Sequence, residues 1–186
     1  MKLLPDSSFF ICFLGDLNGL LEDSIRLNYL NRFLDSFSVE IVPIVYDEIN
    51  KKCSSKPIEG KIFRLKDIPS IGKNDPILDY LRPLLGKGEY EVITFSFAYY
   101  MNEETKFFCV LDDDVARKIV TNYIIEIKPN LIGTVGLIGF CSSKIILFEP
   151  TEAIALLEII KESNFRINPM IVDGFVRELR IRDGNL

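Results

Sequence analysis

Short apolar runs along the chain alternate with longer segments in which apolar residues recur every three or four positions. Five apolar runs predict strands, at residues 1–5, 39–42, 61–65, 106–111 and 123–128. Periodic segments predict helices at residues 24–36, 44–52, 89–102 and 115–122. Strands that alternate with helices in this way predict an α/β fold.

Chain length sets the expected organisation. A chain of 186 residues is long enough for one well-buried core, so we expect a single domain over residues 1–186. Within it, residues 150–182 are predicted to form C-terminal helices that serve packing or partner binding. The apolar stretch 131–148 is interrupted by polar residues such as Thr134 and Lys144, which favours a buried helix and strand over a membrane span.

Composition and charge narrow the chemistry. The sequence contains no histidine, which excludes Ser-His-Asp and Cys-His catalysis and removes the commonest zinc ligand. Carboxylates are therefore the main candidates for catalytic groups and metal ligands in this chain. Its net charge of −5 means that binding of a nucleic acid would need a local basic patch or metal ions.

The cysteines are far apart and form no Cys-x-x-Cys pair, so the sequence suggests neither a zinc ribbon nor a redox motif. They are Cys12, Cys53, Cys109 and Cys141. We expect reduced, mostly buried thiols in a cytoplasmic protein.

Acidic residues stand directly after two of the predicted strands. Asp6 follows the first strand, and Asp112 and Asp113 follow the strand at 106–111. Open α/β folds build their sites at the carboxyl ends of strands, so Asp6 is a candidate ligand of a divalent metal. The alternative is that Asp6 or Ser7 caps the next helix, as Asp112 or Asp113 would after the later strand.

The predicted helix at 44–52 carries two adjacent acids with different surroundings. Glu48 lies on the apolar stripe, whereas Asp47 is placed to pair with Lys51 on the surface. A buried carboxylate is costly unless it is paired or binds a metal, so Glu48 is a second candidate. The alternative is that its side chain reaches solvent or meets Lys52.

The predicted helix at 89–102 also opens with two acids. Glu89 shares a face with Val92, Ile93 and Phe97, which gives it a slight preference over Glu91 as the inward acid. Both acids equally suit the N-terminus of a helix for electrostatic reasons.

The densest basic cluster of this acidic chain follows the helix at 44–52. Its members are Lys51, Lys52, Lys56, Lys61, Arg64, Lys66 and Lys73. Such a cluster is either a solvated loop or a surface that contacts a phosphate backbone. In the second interpretation, Lys51, Lys52 and Lys56 are the candidate RNA-binding residues.

The order and spacing of these motifs resemble the PIN-domain family of metal-dependent ribonucleases, over residues 2–179. The motifs are LPDSS at 4–8, VPIVYDEI at 42–49, GEYEVI at 88–93, LDDDVAR at 111–117 and GTVGL at 133–137. The resemblance implies a three-layer α/β/α fold with a central, mostly parallel sheet of four to five strands.

The resemblance also implies the members of the site. The catalytic acids would be Asp6, Glu48, Glu89 and Asp112. The ligands of Mg²⁺ or Mn²⁺ would be Asp6, Asp112, Glu89 and Asp113, with the choice between Asp112 and Asp113 left open. Ser7 and Ser8 would help to hold a metal-bound water, and Thr134 is a candidate supporting group behind the ligands.

The function implied by the resemblance is endoribonuclease activity, in which a metal-activated water hydrolyses RNA and leaves a 5′-phosphate and a 3′-hydroxyl. The alternative is a catalytically inactive PIN-like scaffold that binds a protein or RNA. The resemblance further implies an RNA substrate, an antitoxin or other protein partner, a homodimer and a cytoplasmic location. We expect no activity in excess EDTA.

Overall fold

The structure, a computed structural model, describes residues 1–67, 69–70, 75–103, 106–182 and 184. The strands in this part of the chain are β1 (Lys2–Pro5), β2 (Ser38–Ile41), β3 (Phe63–Arg64), β4 (Phe107–Val110) and β5 (Leu131–Ile132). They form one all-parallel sheet in the order β3-β2-β1-β4-β5. Helices flank this sheet, which confirms the predicted three-layer α/β/α fold.

The helices predicted at 24–36, 44–52, 89–102 and 115–122 are present close to those positions, and further helices lie before, between and after them in the described part of the chain. Together they are α1 (Ser7–Ile11), α2 (Asp23–Ser36), α3 (Pro43–Lys52), α4 (Pro76–Leu81), α5 (Lys87–Met101), α6 (Asp114–Tyr123), α7 (Thr134–Phe140), α8 (Pro150–Glu162) and α9 (Pro169–Arg182). Short π-helical turns at Cys12–Asp16 and Cys141–Ile145 extend α1 and α7.

Local sequence explains where these helices begin. Proline occupies the first turn of α3, α4 and α8, where its missing N–H would have had no helical partner. Asp6, Asp75 and Asp113 cap α1, α4 and α6, because each carboxylate accepts hydrogen bonds from backbone N–H groups of the first turn.

Central strands β1 and β4 are buried and place their carboxyl ends side by side. Leu3 and Leu4 of β1 and Cys109 and Val110 of β4 are fully buried. In the parallel register, Leu4 pairs with Cys109 and Pro5 pairs with Val110. The residues that follow the two strands therefore meet at the same edge of the sheet.

The prediction of a strand at 123–128 is wrong. These residues finish α6 and enter a 3₁₀ turn at Ile125–Asn130, and the last strand is β5, immediately after it. The sequence explains the error, because apolar and polar residues alternate at 125–128 as in a strand, whereas burial follows the three-residue period of a 3₁₀ turn, with Ile124 and Ile127 buried. The strand expected at 61–65 is reduced to the two residues of β3. Lys73 of the basic cluster lies outside the described residues.

The apolar stretch 131–148 forms β5 and α7, as expected, and no helix in the described part of the chain is long and apolar enough to cross a membrane. The four cysteines are free thiols; Cys12, Cys109 and Cys141 are buried and Cys53 is half-buried. Burial raises the pKa of Cys109 and of Cys141 to about 12, so both thiols stay protonated at neutral pH.

Gly139 allows α7 to pack closely against α9. A Cβ atom at this position would lie 2.7 Å from Cδ1 of Phe175. We expect Gly139→Ala to lower the free energy of unfolding by about 1–3 kcal/mol, the cost of an overpacked contact. Gly174→Ala is the matched control in α9, because nothing lies within 4 Å of its added Cβ, and it should stabilise by about 0.5–1 kcal/mol. Denaturant unfolding measures both, and equal effects would contradict the packing assignment.

Candidate active site

Asp6 stands at the end of β1, where it caps α1 and also contacts the residue that follows β4. Its side chain is buried, with 3% of the residue's surface exposed. Oδ1 accepts hydrogen bonds from the backbone N–H of Ser8 at 3.0 Å and of Phe9 at 3.4 Å, which caps α1. Oδ2 accepts one from the backbone N–H of Asp112 at 3.5 Å, so Asp6 also faces the end of β4.

Asp112 follows β4 and is held by the residue that begins α7. Its Oδ1 accepts a hydrogen bond from the backbone N–H of Thr134 at 2.7 Å, and its Oδ2 accepts one from the Thr134 hydroxyl at 2.6 Å. Thr134 itself is fully buried. Two bonds to one neighbour fix the carboxylate plane of Asp112 beside Asp6.

Burial and mutual repulsion make it unfavourable for Asp6 and Asp112 to be ionised at the same time. Burial raises the pKa of Asp6 well above its ordinary value, and the nearby charges of Asp112 and Glu89 raise it further. Burial also raises the pKa of Asp112, although the bonds from Thr134 and the charge of Arg117 oppose that rise. A cation placed between the two carboxylates would relieve both costs.

Asp112 opens onto a cleft of about 490 Å³, which we call the acidic cleft, and Asp6 lies behind Asp112 rather than among the residues found to line it. Its acidic lining consists of Asp16, Glu89, Asp112, Asp113 and Asp114. Lys52 and Arg166 contribute positive charges to the lining, which also includes residues 164–168 and Ile171. The cleft therefore joins the end of β4 to α1 and its π-helical turn, to the first turn of α5 and to the loop before α9.

The side chains of Glu89 and Glu91 point to different places, and Glu91 is the more buried of the two, contrary to the slight preference for Glu89 as the inward acid drawn from the helical pattern. Glu89 is half-buried and lines the acidic cleft, and its negative charge raises the pKa of Asp6. Glu91 is buried away from the lining, where its carboxylate accepts a hydrogen bond from the backbone N–H of Ile44 at 3.3 Å. Its pKa is raised, chiefly by burial.

Glu48 is half-buried and Asp47 is exposed, as the helical pattern predicts. The Glu48 carboxylate lies against the first turn of α5, since a Cβ added to Gly88 would be 3.1 Å from its Oε2. It is close enough to Glu91 to raise the pKa of that group. Glu48 does not belong to the residues found to line the acidic cleft, so its catalytic role remains a prediction.

Asp113 is exposed and its Oδ1 accepts a hydrogen bond from the backbone N–H of Ala116 at 2.7 Å, which caps α6. Of the two adjacent acids, Asp112 is thus the one beside Asp6, while Asp113 lies on the rim of the cleft. Ser8 lines the cleft and Ser7 is half-buried next to it in α1.

The three candidate RNA-binding lysines, Lys51, Lys52 and Lys56, are all exposed. Lys52 lies in the lining of the acidic cleft, and its charge lowers the pKa of Asp16 against the effect of burial. Lys51 and Lys56 lie outside that lining. An exposed position suits contact with a phosphate backbone, so all three remain candidates.

Two residues of the site are missed by sequence reasoning. Asp16 lies in the π-helical turn after α1 and lines the cleft, although it reads as the polar end of an apolar run. Arg117 lies one turn into α6, where its Nη1 donates to the carbonyl oxygen of Leu111 at 2.9 Å. The sequence feature that could have identified Arg117 is its position three residues after Asp114. Residues three apart lie on the same face of a helix, so the Arg117 side chain lies toward the end of β4.

The donor set suits a divalent ion that keeps part of its hydration shell. No three acidic or cysteine side chains among the described residues converge closely enough to form a complete metal cage. Mg²⁺ is usually bound through one or two carboxylates together with water and substrate phosphates, and Asp6 and Asp112 provide such a pair. Four lone-pair sites per carboxylate leave both acids with accepting capacity beyond their hydrogen bonds.

The fold is a three-layer α/β/α domain with a carboxylate site at the C-terminal edge of its two central strands. A family model described as a PIN domain matches residues 21–180, so the chain belongs to the PIN-domain family, whose fold is nuclease-like. The match begins after β1, and Asp6 therefore enters the site through the geometry rather than through the match. No curated protein and no solved structure matches the chain significantly.

Proposed function

We propose that this protein is a metal-dependent endoribonuclease that hydrolyses RNA phosphodiester bonds in the acidic cleft. PIN domains are generally nucleases, and the chain belongs to that family. The observation that carries the proposal is the adjacent pair of Asp6, which is buried, and Asp112, which is half-buried; the pKa values of both are raised, and a divalent ion would balance their charges. A pair of this kind is costly in a protein that does not use it.

In the proposed site, Asp6 and Asp112 would hold Mg²⁺ or Mn²⁺. When bound, the ion supplies Lewis-acid chemistry: it polarises the phosphate and increases the acidity of a coordinated water. Thr134 is a positioning residue, because its two hydrogen bonds hold the carboxylate of Asp112 in one orientation. Asp6 is held in the same way by the first turn of α1.

Glu89 is the proposed proton acceptor or orienting group for the attacking water, because it is half-buried, lines the cleft and carries a charge that raises the pKa of Asp6. Glu48 is proposed as a further contributor at the edge of the cleft. Asp113, whose carboxylate caps α6, is proposed to contribute only weakly. Lys52 would bind the RNA backbone at the cleft wall, with Lys51 and Lys56 continuing that contact outside it.

The proposal includes a cytoplasmic homodimer or a complex with an antitoxin or another protein. Helix α9 supports this part, because large apolar side chains on it face solvent. Met170 is 79% exposed, Ile181 is 57% exposed and Ile171 is 40% exposed. Apolar side chains grouped on one exposed helix favour association with a partner.

The experiment that tests the activity is incubation of end-labelled single-stranded RNA with the protein in Mn²⁺ or Mg²⁺. We expect cleavage products with a 5′-phosphate and a 3′-hydroxyl, and no cleavage in excess EDTA. An inactive scaffold would bind the same RNA without cutting it in either buffer, and cleavage that survives EDTA would exclude a metal-dependent site.

A further inference from the structure

A second pocket, of about 430 Å³, adjoins the acidic cleft. It lies between β5, α7 and α9, and we call it the apolar pocket. Most of its lining is aliphatic or aromatic, including Leu111, Ile132, Gly136, Phe140, Phe175 and Leu179. It is continuous with the acidic cleft, because Asp112 and Asp114 line both cavities.

Two aromatic rings in the apolar pocket are partly accessible. Phe140 and Phe175 are half-buried, unlike the fully buried rings of Phe9 and Phe33 in the core. The Phe140 ring is held edge-on by Phe108, with ring centroids 4.9 Å apart and an interplanar angle of 77°. A ring that is fixed in place while part of it faces a cavity can stack a planar ligand at low entropic cost.

Hydrogen-bond donors stand at the wall of the same pocket. Arg117 lines it, and its guanidinium is anchored by the carbonyl oxygen of Leu111 at 2.9 Å. Lys144 lines it from the end of the π-helical turn that follows α7. The apolar pocket is also lined by the carboxylates of Asp112, Asp114 and Glu178. The pocket therefore combines aromatic and aliphatic walls with a few cationic donors and anionic acceptors, a composition that suits one planar heterocycle that carries both acceptor and donor atoms.

From this geometry we infer that the apolar pocket binds one nucleobase of the RNA, next to the phosphodiester that lies over Asp6 and Asp112. The inference rests on the proposed function, since it assigns a subsite to the same substrate. In single-stranded RNA an unpaired base can leave the stack and insert beside an aromatic side chain. Its adjoining phosphate would then remain at Asp112, where the two cavities meet.

The absence of tryptophan from the sequence allows a direct test. Phe140→Trp places a single indole in the apolar pocket, and Phe63→Trp is the control, because Phe63 is 63% exposed on β3 and lies outside the pocket lining. Each protein is titrated in Mg²⁺ with AMP, UMP or ribose 5-phosphate, none of which contains a phosphodiester to cleave. Tryptophan fluorescence is excited where the nucleotides do not absorb.

We expect AMP and UMP to change the fluorescence of Phe140→Trp in a saturable way. Ribose 5-phosphate should bind at least about fivefold more weakly, since it lacks the base whose stacking supplies the affinity. The Phe63→Trp protein should show no saturable change with any of the three compounds. Phe175→Trp serves as a second reporter if Phe140→Trp unfolds at a lower temperature than the parent.

Equal responses to AMP and to ribose 5-phosphate, or no response in either pocket variant, would overturn the inference. An emission shift that follows protein concentration without any nucleotide would also overturn it, because a second copy of the chain would then cover the pocket. The readout does not require catalysis. RNA cleavage by a protein that fails this test would leave the proposed function standing, and nucleotide binding without cleavage would remove the proposed function alone.

Discussion

Replacement of Asp112 by asparagine is expected to lower the rate of RNA cleavage by roughly 10²–10³-fold, because it removes one of the two carboxylates that would hold Mg²⁺ or Mn²⁺. An ion that stabilises charge in the transition state contributes several kcal/mol, and each ~1.4 kcal/mol is a factor of ten in rate. The change is nearly isosteric, and the side-chain oxygen of asparagine can still accept the hydrogen bond from the backbone of Thr134.

Asp113→Asn is the matched control for Asp112→Asn. Asparagine caps a helix as well as aspartate does, so the bond to the Ala116 N–H and the start of α6 should be kept. We expect this variant to cleave RNA within about threefold of the parent rate, since a single exposed charge changes binding weakly. Equal losses in the two variants would contradict the assignment of Asp112, rather than Asp113, as the partner of Asp6.

The metal-free protein is expected to gain stability as the pH is lowered from about 8 to about 5.5, relative to Asp112→Asn. The pKa values of Asp6 and Asp112 are raised in the folded state. Their contribution to stability is therefore fully present below the ordinary aspartate value of 3.8 and is lost as the pH rises through the raised values. Burial also raises the pKa values of Asp16 and Glu91, so these two groups change the stability with pH in the same direction in both proteins.

Saturating Mn²⁺ should reverse this trend near neutral pH, because the ion favours the charged carboxylates. At a concentration 100 times its dissociation constant, a ligand stabilises the folded state by about 2.7 kcal/mol, or roughly 5–10 °C for a chain of this size. Thermal unfolding of the parent and of Asp112→Asn at two pH values, each with Mn²⁺ and with EDTA, measures both effects. Matching curves for the two proteins in all four conditions would contradict a metal site at the pair.

The sequence predicts the sheet well because buried parallel strands are continuous apolar runs, and residues 106–111 contain β4 in full. It predicts the last strand badly, since residues 125–128 alternate between apolar and polar, as a half-buried strand does, but lie in a 3₁₀ turn. Periodicity reports which side chains are buried but does not report which backbone groups find partners.

Only part of the site can be predicted from the sequence, because sequence patterns do not report how the elements pack against each other. Acids that directly follow a strand, Asp6 and Asp112, can be placed at one edge of a sheet from the sequence. The choice between Glu89 and Glu91 depends on how α5 is rotated about its axis, and the surroundings of Glu48 depend on where α3 meets α5. These are properties of tertiary packing. Asp16 was missed because its approach to the cleft depends on a π-helical turn that has no sequence signature.

The central claim is that Asp6 and Asp112 together form a metal-dependent ribonuclease site. Cleavage of one labelled RNA by the parent and by Asp6→Asn, side by side in Mn²⁺ and in EDTA, tests it most directly. Asparagine keeps the cap of α1, so the variant should remain folded. We predict cleavage by the parent in Mn²⁺ alone and a loss of at least about a hundredfold in Asp6→Asn. Cleavage by Asp6→Asn at the parent rate would contradict the claim.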